Sequence, residues 1–451
     1  MIETPFAFAV IAFVVAVLIE IPIAIAIMLA GLLGLAMDIG PAVTARVLAS
    51  VFYQTTANYT LFVVPMYVLL GALMSNAGIG EQIYRSVQRV VGWMPGGLAA
   101  TAVGATSFFS GISGSSAADT ATFGRISVTE MGRHGYAKPY AAAVVAAAGT
   151  FASLIPPSVA IVIYSILAEL SIGKMITAAI VPGALSAGAL TVFVIVRAIL
   201  SEPKDGRGSR RREAELGHTL AEGETGVRTS SWSRDLIGVL YAALIFAVVV
   251  GGLYGGYFTP SEAGAVAALI ALVIALIAKP SALSRRRILT TSLREAAEVT
   301  SMIFMLMIGG ATLAYFVAST GVTMEIVAWV TELGISPSLI AGIILLLMLP
   351  LGMVLDGLSI MLLIVPTVSH LLSQMGLDGI WFGILMLKCI EIGLITPPVG
   401  MNVYIVSGLT GVSASAVFRS IWPFIVLDIS LTALMFFFPQ IILWLPAQMG
   451  Y

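Results

Sequence analysis

The chain has 451 residues, of which 59% are hydrophobic and 10% are charged, with a mean hydropathy of +1.04. This composition predicts an integral membrane protein rather than a soluble one. The formal net charge is −1, the basic residues cluster in short segments, and Cys389 is the only cysteine. Neither a nucleic-acid partner nor an intrachain disulfide framework is therefore expected.

The apolar runs of the sequence fall into two groups. The first group lies at 5–19, 22–37, 59–76, 138–167 and 175–200. The second lies at 236–258, 260–278, 297–318, 380–409 and 421–446. No basic segment precedes the first run, so it is interpreted as a permanent span. Residues 201–234 carry seven basic residues among Glu and Gly and predict a solvated linker.

The two groups repeat each other at an offset of 241 residues. Ile155-Pro-Pro-Ser158 aligns with Thr396-Pro-Pro-Val399, and Ile180-Val-Pro182 aligns with Ile421-Trp-Pro423. An interior proline removes a backbone donor and costs about 3 kcal/mol in a helix. Each Pro-Pro pair therefore predicts a broken helix. Backbone groups freed inside a membrane must be satisfied by protein, water or an ion, so each break is a candidate binding site.

The same offset places a second pair of motifs in register. Ser110-Gly-Ile-Ser-Gly-Ser-Ser-Ala117 aligns with Leu351-Gly-Met-Val-Leu-Asp-Gly-Leu358. Each motif is a polar or glycine-rich break between apolar arms of about 11 to 13 residues, whereas a span needs roughly 20. The pattern predicts two re-entrant hairpins with tips at Ser113 to Ser116 and at Asp356-Gly357.

The distribution of Lys and Arg predicts opposite orientations for the two halves. If the 201–234 linker is cytoplasmic, its side of the membrane collects 19 of the 22 basic residues. The loops expected on that side are 80–92, 125–138, 279–296 and 410–420. The return from the first hairpin carries Arg125, Arg133 and Lys138, whereas its counterpart 369–380 carries no Lys or Arg. This pattern predicts an inverted-topology repeat.

The predicted organisation is an all-α polytopic membrane protein with two inverted repeats joined by the linker. The first repeat, 1–200, contains scaffold helices, a hairpin at about 95–130 and a broken helix at about 138–167. The second repeat, 235–451, contains scaffold helices, a hairpin at about 337–371 and a broken helix at about 380–409.

The hairpin tips and broken helices are expected to meet near the bilayer midplane and bind a cation. Hydroxyl, amide and carbonyl oxygens with one carboxylate suit a hard cation such as Na⁺, the only metal predicted. The candidate ion ligands of the first half are Ser113, Gly114, Ser115, Ser116, Thr150, Ser153, Pro156 and Ser158. Those of the second half are Asp356, Gly357, Thr396, Pro397, Gly400 and Asn402.

Several charged residues have both a functional and a structural interpretation. A carboxylate at mid-membrane costs about 2.5 to 3.5 kcal/mol, which favours function for Asp356, although it could instead cap a half-helix. Lys388 and Glu391 lie on one helical face and form either a neutralising pair or a substrate contact. The candidate substrate-binding residues are Ser115, Asp119, Arg125, Lys388 and Glu391. Asp119 and Arg125 could instead form only the polar exit of the first hairpin.

With these motifs assembled, the sequence resembles the large membrane subunit of the tripartite ATP-independent periplasmic (TRAP) transporters. The resemblance runs through nearly the whole chain. The matching stretches are Phe109-Ser-Gly-Ile-Ser-Gly-Ser-Ser116, Ile155-Pro-Pro-Ser158, Phe258-Thr-Pro-Ser-Glu-Ala263, Val354-Leu-Asp-Gly357 and Glu391-Ile-Gly-Leu-Ile-Thr-Pro-Pro-Val-Gly400. Two features depart from the family pattern, namely the long charged linker and Lys388.

The resemblance implies an elevator-type transporter in the bacterial inner membrane, in which hairpins and broken helices slide as one domain against a scaffold. It implies two partners, a small membrane subunit separate from this chain and a soluble periplasmic substrate-binding protein. It also implies that Na⁺ drives import of an organic anion, a carboxylate or a sialic-acid-like compound. The family's ion sites would fall at Ser113 to Ser116 with Thr150 to Ser158, and at Asp356-Gly357 with Thr396 to Asn402.

Two other functions stay open at this point. A stand-alone ion-coupled anion transporter or exchanger of the same inverted-hairpin architecture would work without a binding protein. An intramembrane enzyme using Asp356 would need a second inward-facing carboxylate or histidine beside it. The sequence suggests no such partner, and no organic cofactor, so transport rather than catalysis is predicted.

Overall fold

The computed structural model describes residues 3–200, 232–278, 284–322, 334 and 336–449. Over these ranges the elements of secondary structure are all helices, which suit a bilayer because a helix satisfies its backbone groups within one segment. Residues 201–231 of the predicted linker and residues 279–283 of the expected loop 279–296 lie outside the described residues.

The described helices fall before and after the linker. Those before it are α1 (Glu3–Leu18), α2 (Ile23–Asp38), α3 (Pro41–Thr56), α4 (Val63–Asn76), α5 (Ile79–Val91), α6 (Gly97–Ser113), α7 (Ser116–Arg133), α8 (Lys138–Ala148), α9 (Val159–Leu167) and α10 (Ile172–Leu200). Two 3-10 helices lie at Tyr59–Phe62 and Gly149–Ser153.

The helices after the linker continue the numbering. They are α11 (Trp232–Tyr254), α12 (Pro260–Ile277), α13 (Arg285–Thr320), α14 (Pro337–Gly352), α15 (Gly357–Gln374), α16 (Gly379–Gly393), α17 (Met401–Thr410), α18 (Ala414–Phe437) and α19 (Gln440–Gln448).

Within the described part of the chain, six helical segments are long and apolar enough to cross a membrane. They are Tyr59–Asn76, Ile172–Leu200, Leu236–Tyr254, Pro260–Ile277, Arg285–Thr320 and Ala414–Phe437. The bent helix α15 supplies a seventh if its two parts count as one span. The prediction of a polytopic helical membrane protein is confirmed.

All four segments expected to be loops are helical over much of their described length. Residues 125–133 belong to α7 and residues 414–420 belong to α18. The segment 80–92 forms most of α5, an amphipathic helix in which Ile83 is buried and Arg85 pairs with Glu81 at 2.8 Å. Its polar face lowers the mean hydropathy, which is why an apolar-run search missed it. Helix α13 likewise begins inside the expected loop 279–296, where the Ser284 hydroxyl accepts a hydrogen bond from the Arg287 amide.

The hairpins have longer arms than predicted. Helices α6 and α7 contain 17 and 18 residues, and α14 and α15 contain 16 and 18, instead of about 11 to 13. Helix α7 continues into a polar flank, where Arg133 pairs with Glu130 at 2.9 Å, whereas α14 is apolar from Leu339 to Gly352. At 1.5 Å per residue the arms measure about 24 to 27 Å, just below the hydrocarbon thickness of about 30 Å. Their re-entrant placement stays a prediction.

Both broken helices are confirmed. Helix α8 passes through the 3-10 helix Gly149–Ser153 and an irregular stretch before α9 begins, and α16 is separated from α17 by residues 394–400. The peptide bond within each Pro-Pro pair is cis. Pro182 and Pro423, the other pair in the 241-residue register, both lie inside long helices, α10 and α18.

The two halves interlock through their hairpins. Helix α9 packs on α15, and in the other direction α17 packs on α7, so each broken helix touches the hairpin of the opposite half. The Tyr164 hydroxyl donates to the Gly379 carbonyl at 2.8 Å, and the Asn402 amide donates to the Ala146 carbonyl at 3.2 Å. The four candidate site elements therefore form one packed core.

Two glycines hold the second hairpin against its own broken helix. A Cβ added at Gly393 would lie 2.5 Å from the Cα of Gly352, closer than real side chains approach. Gly352 corresponds to Gly111 at the 241-residue offset, and a Cβ at Gly111 would lie 2.7 Å from the Pro156 carbonyl oxygen. The small residues thus permit direct backbone contact between each hairpin and the break beside it.

We expect Gly393→Ala to lower the free energy of unfolding by about 1 to 3 kcal/mol, because the two backbones must separate. The measurement is the thermal unfolding temperature of the purified protein in detergent. The control is Gly408→Ala in α17, where an added Cβ meets no atom within 4 Å. That change should be neutral or stabilise by up to about 1 kcal/mol. Equal unfolding temperatures for Gly393→Ala and the wild type would contradict the close approach.

Candidate ion and substrate site

A buried carboxylate organises the tip of the first hairpin. Asp119, in the first turn of α7, is fully buried and accepts hydrogen bonds from the hydroxyls of Ser110 and Ser113. Gly114 makes the turn with φ of +60°, and its amide donates to the Ser110 carbonyl at 3.1 Å. Both Asp119 oxygens are therefore engaged within the hairpin. Ser115, also proposed for substrate, is exposed and accepts a hydrogen bond from the Ala118 amide.

The first broken segment brings hydroxyl groups to this tip. The Oγ atoms of Ser116 and Ser153 lie 3.3 Å apart, and the Ser158 hydroxyl donates to the Ser153 carbonyl at 3.1 Å. The Thr150 hydroxyl donates to the Ala147 carbonyl at 2.8 Å. Pairs of hydroxyls and carbonyls at one break are the oxygen ligands expected for a hard monovalent cation.

Thr120 belongs to the same cluster, although the sequence analysis did not single it out. It is fully buried, and its Oγ1 has no hydrogen-bond partner among the described residues. A Cβ added at Gly149 would lie 2.1 Å from this oxygen, so Thr120 faces the 3-10 segment of the broken helix. The sequence spacing could have identified Thr120, because it follows Ser116 by four residues and so lies on the same face of α7.

The tip of the second hairpin is an N-cap. Asp356 precedes α15, and its Oδ1 accepts hydrogen bonds from the amides of Leu358 and Ser359 at 3.0 and 3.1 Å. The Ser359 hydroxyl donates to the other carboxylate oxygen. A Cβ added at Gly357 would lie 2.9 Å from the Ile390 side chain, so the tip sits directly on α16. The capping role left open for Asp356 is present, and it leaves lone pairs on a half-buried carboxylate.

The second break buries an amide oxygen. The Thr396 hydroxyl donates to the Ile392 carbonyl at 2.5 Å, and the Asn402 backbone amide donates to the Leu394 carbonyl at 3.1 Å. The Asn402 side-chain amide reaches Ala146 in the first half, while its Oδ1 accepts no hydrogen bond from any residue that the structure describes. Gly400 turns the chain into α17 with φ of +57°. Pro397 lies half-buried beside them.

Lys388 and Glu391 form an ion pair that includes a third residue. The Lys388 ammonium donates to Glu391 at 3.0 Å and to Asp428 at 2.5 Å, and both Lys388 and Glu391 are fully buried. Of the two interpretations left open, the structure contains the neutralising pair. Sequence reasoning missed Asp428, although it is the only charged residue in the apolar run 421–446. A lysine and a carboxylate buried in separate spans are expected to seek each other.

The five candidate substrate residues fall into two groups, two that are exposed and three that are buried. Ser115 and Arg125 are exposed on the first hairpin. Asp119, Lys388 and Glu391 are fully buried and bonded to other side chains. An incoming anion meets only the first two in this conformation.

Paired hairpins and broken helices within a bundle of membrane spans define the class: a polytopic membrane transport protein. A solved structure with the same fold is the YdaH transporter of Alcanivorax borkumensis. It superimposes with a TM-score of 0.61, covering 86% of this chain and 88% of that one, at 14% sequence identity. Identity this low supports the fold alone.

The particular family follows from the sequence comparisons. The profile of the family described as tripartite ATP-independent periplasmic transporter, DctM component, matches residues 10–441, and the chain belongs to this family. The resemblance predicted from the motifs is thus confirmed. The chain is a multi-pass protein of the bacterial inner membrane, and a transporter rather than an enzyme.

Curated relatives cover most of the chain. The C4-dicarboxylate TRAP transporter large permease protein DctM of Pseudomonas aeruginosa is 32% identical over 409 residues, 90% of this chain and 91% of the relative. The sialic acid permease protein SiaM of Vibrio cholerae is 30% identical over 87% of this chain and 88% of its own length. The 2,3-diketo-L-gulonate permease protein YiaN of Escherichia coli is 29% identical over 88% of this chain and 89% of its own length.

Proposed function

We propose that this chain is the transport subunit of a Na⁺-coupled importer for an organic anion, a carboxylate or a sialic-acid-like compound. A soluble periplasmic binding protein delivers the anion, and a small membrane subunit completes the complex. Family membership supports both partners. The relatives named for C4-dicarboxylate, sialic acid and 2,3-diketo-L-gulonate support an anionic, carboxylate-bearing substrate.

The buried oxygen of Asn402 is the observation that carries the coupling proposal. A buried acceptor without a partner costs about 1 to 3 kcal/mol, so such atoms persist where a ligand satisfies them. Asn402 Oδ1 lies at a break in the helix, where the Thr396 hydroxyl oxygen also keeps lone pairs. Amide, hydroxyl and backbone oxygens are the ligands of a hard cation, and Na⁺ fits this set.

The first half offers a comparable set of oxygens. Thr120 Oγ1 is buried without a described partner, and the hydroxyls of Ser116 and Ser153 lie at the same break. Both sets consist mostly of neutral hydroxyl and amide oxygens, which favours a monovalent over a divalent ion. Two such sets, one for each break, support coupling to more than one Na⁺.

The energetics make such coupling sufficient for accumulation. One Na⁺ moving down 100 mV gains about 2.3 kcal/mol, and a tenfold concentration gradient adds about 1.4 kcal/mol. About 3.7 kcal/mol per ion supports a several-hundredfold gradient of an anion whose own charge cost is small. A dianion needs more than one ion, in keeping with two sets of ligands.

The interlocked core supports an elevator motion and a place for substrate. Helices α9 and α17 each pack on the opposite hairpin, so both candidate ion sites belong to one block that can move as a unit. Exposed Arg125 lies on α7 of the same block, and its guanidinium suits a carboxylate through paired hydrogen bonds. Substrate and ions would then cross the membrane together.

We expect uptake into proteoliposomes that contain both membrane subunits to require Na⁺ and the periplasmic binding protein. The measurement is accumulation of radiolabelled C4-dicarboxylate or sialic acid, each presented with its own binding protein, under an inward Na⁺ gradient. Uptake that is unchanged when K⁺ replaces Na⁺ would refute the coupling. Uptake by this chain alone, without a binding protein, would favour a stand-alone anion transporter.

We expect Asn402→Ala to raise the Na⁺ concentration for half-maximal uptake about tenfold, which corresponds to about 1.4 kcal/mol of lost binding. The physical reason is removal of a buried amide oxygen from the ligand set. Val403→Ala is the matched control, because Val403 is fully buried on the same helix and has no side-chain oxygen. An equal rise in both variants would assign the effect to packing.

We expect Asp356→Ala to weaken Na⁺ dependence more than it weakens folding. Asp378 provides a control of matched geometry, since its carboxylate caps α16 by accepting from the amides of Ile380 and Trp381 at 2.7 and 3.0 Å. Loss of either cap should cost about 0.5 to 2 kcal/mol of stability. Only Asp356→Ala should raise the Na⁺ concentration for half-maximal uptake. An equal effect in Asp356→Ala and Asp378→Ala would mean that Asp356 acts only as a helix cap.

A further inference from the structure

Three charged side chains form an isolated cluster between α16 and α18. Lys388 bridges one oxygen of Glu391 and one oxygen of Asp428, whose side chain is 13% exposed. The second oxygen of Glu391, Oε1, is buried and accepts no hydrogen bond within the described chain. The Asp428–Lys388–Glu391 triad thus leaves one carboxylate only half satisfied.

The triad carries an excess negative charge when all three groups are ionised, because two carboxylates face one ammonium. A net charge held away from water is costly unless a further group neutralises it. The Lys388 ammonium already occupies the position between the carboxylates, so it would repel a metal cation there. A proton on one carboxylate removes the excess charge without competing for that position.

Other ionisable groups near α16 do not supply the missing positive charge. On the helices packed against it, Arg197 of α10 lies over the Tyr140 ring at 4.6 Å, and Tyr164 of α9 donates to the Gly379 carbonyl. The adjacent Cys389 thiol is buried and carries no positive charge. The remaining described groups on these helices lie at or near the surface and are Lys174, His370 and Arg419.

A small cavity at Asp428 gives the triad a position for a water molecule that can accept its proton. It is lined by Asp428 together with Ser186, Ile395 and Phe151, and it has room for about one water molecule. Ser186 is 1% exposed, and its Oγ makes no hydrogen bond to the part of the chain that is described. A hydroxyl without a partner and a carboxylate at one cavity are the two polar contacts that a bridging water needs.

We propose that the Asp428–Lys388–Glu391 triad is a proton-binding site that holds one exchangeable proton, shared between the two carboxyl groups. In the protonated state the triad contains an ammonium, a carboxylate and a carboxylic acid, and is neutral. On release, the proton passes from the carboxyl group to water at the Ser186 cavity, and the triad becomes an anion. The cavity is also lined by Ile395, the residue before Thr396, so this charge change occurs beside the second break. The site is separate from the proposed Na⁺ ligands.

Infrared spectroscopy of the purified protein tests this directly, because a protonated carboxylic acid has a carbonyl stretch apart from those of carboxylates and amides. Glu391→Gln and Asp428→Asn should each lose the band of a single carboxylic acid, since either change leaves one carboxylate paired with Lys388. Lys388→Met should gain band intensity, since both acids then need protons. Glu298→Gln, whose side chain is 60% exposed, is the control and should change nothing.

The wild type provides a measurement that does not depend on any variant folding. Its carboxylic acid band should fall as pH is raised and recover when pH is lowered. Asp119 is also buried and could contribute to the same band. The titration is therefore repeated in Asp119→Asn, where the band of the triad should remain. A band that is unchanged in folded Glu391→Gln and Asp428→Asn, or a wild-type band insensitive to pH, would overturn the proposal. No transport is measured, so failure here is distinct from failure of Na⁺ coupling.

Discussion

The structure depends on the need to satisfy every backbone polar group inside a membrane. Two Pro-Pro pairs break helices that would otherwise satisfy themselves, and the protein packs a hairpin against each break. Glycines make this contact possible: Gly111 meets the Pro156 carbonyl, and Gly352 meets Gly393. The breaks are therefore part of a closely packed core, in which the Pro156 carbonyl faces the first hairpin.

Buried carboxyl groups are stabilised in two different ways in this core, by hydroxyl donors or by an ammonium. The Asp119 carboxyl accepts hydrogen bonds from two hydroxyls of its own hairpin, Ser110 and Ser113. Glu391 and Asp428 instead share the ammonium of Lys388 and bring together two helices distant in sequence. Removing one member of such a group is costly, because it leaves an uncompensated charge. The first arrangement shapes the hairpin tip, and the second ties α16 to α18.

Ligand binding is expected where buried polar atoms lack a hydrogen-bond partner in the protein. Thr120 Oγ1 and Asn402 Oδ1 are buried acceptors at the two breaks, each without a partner among the described residues. Elsewhere in the core, hydroxyls such as those of Thr106 and Thr312 return to a carbonyl of their own helix. Other buried oxygens, such as Tyr67 Oη and Ser186 Oγ, also lack a described partner. What sets Thr120 and Asn402 apart is that their oxygens lie at the two breaks, beside other hydroxyl groups.

The sequence by itself determined the membrane class, the two breaks and the two tips, because proline, glycine and apolar run length act locally. It did not reveal α5, whose polar face lowers its mean hydropathy, and it underestimated the length of the hairpin arms. Only the tertiary structure decided that Asp428 joins Lys388 and that Asn402 reaches Ala146 across the two halves. Such contacts depend on how distant helices pack, and no local pattern encodes which buried polar groups will face each other.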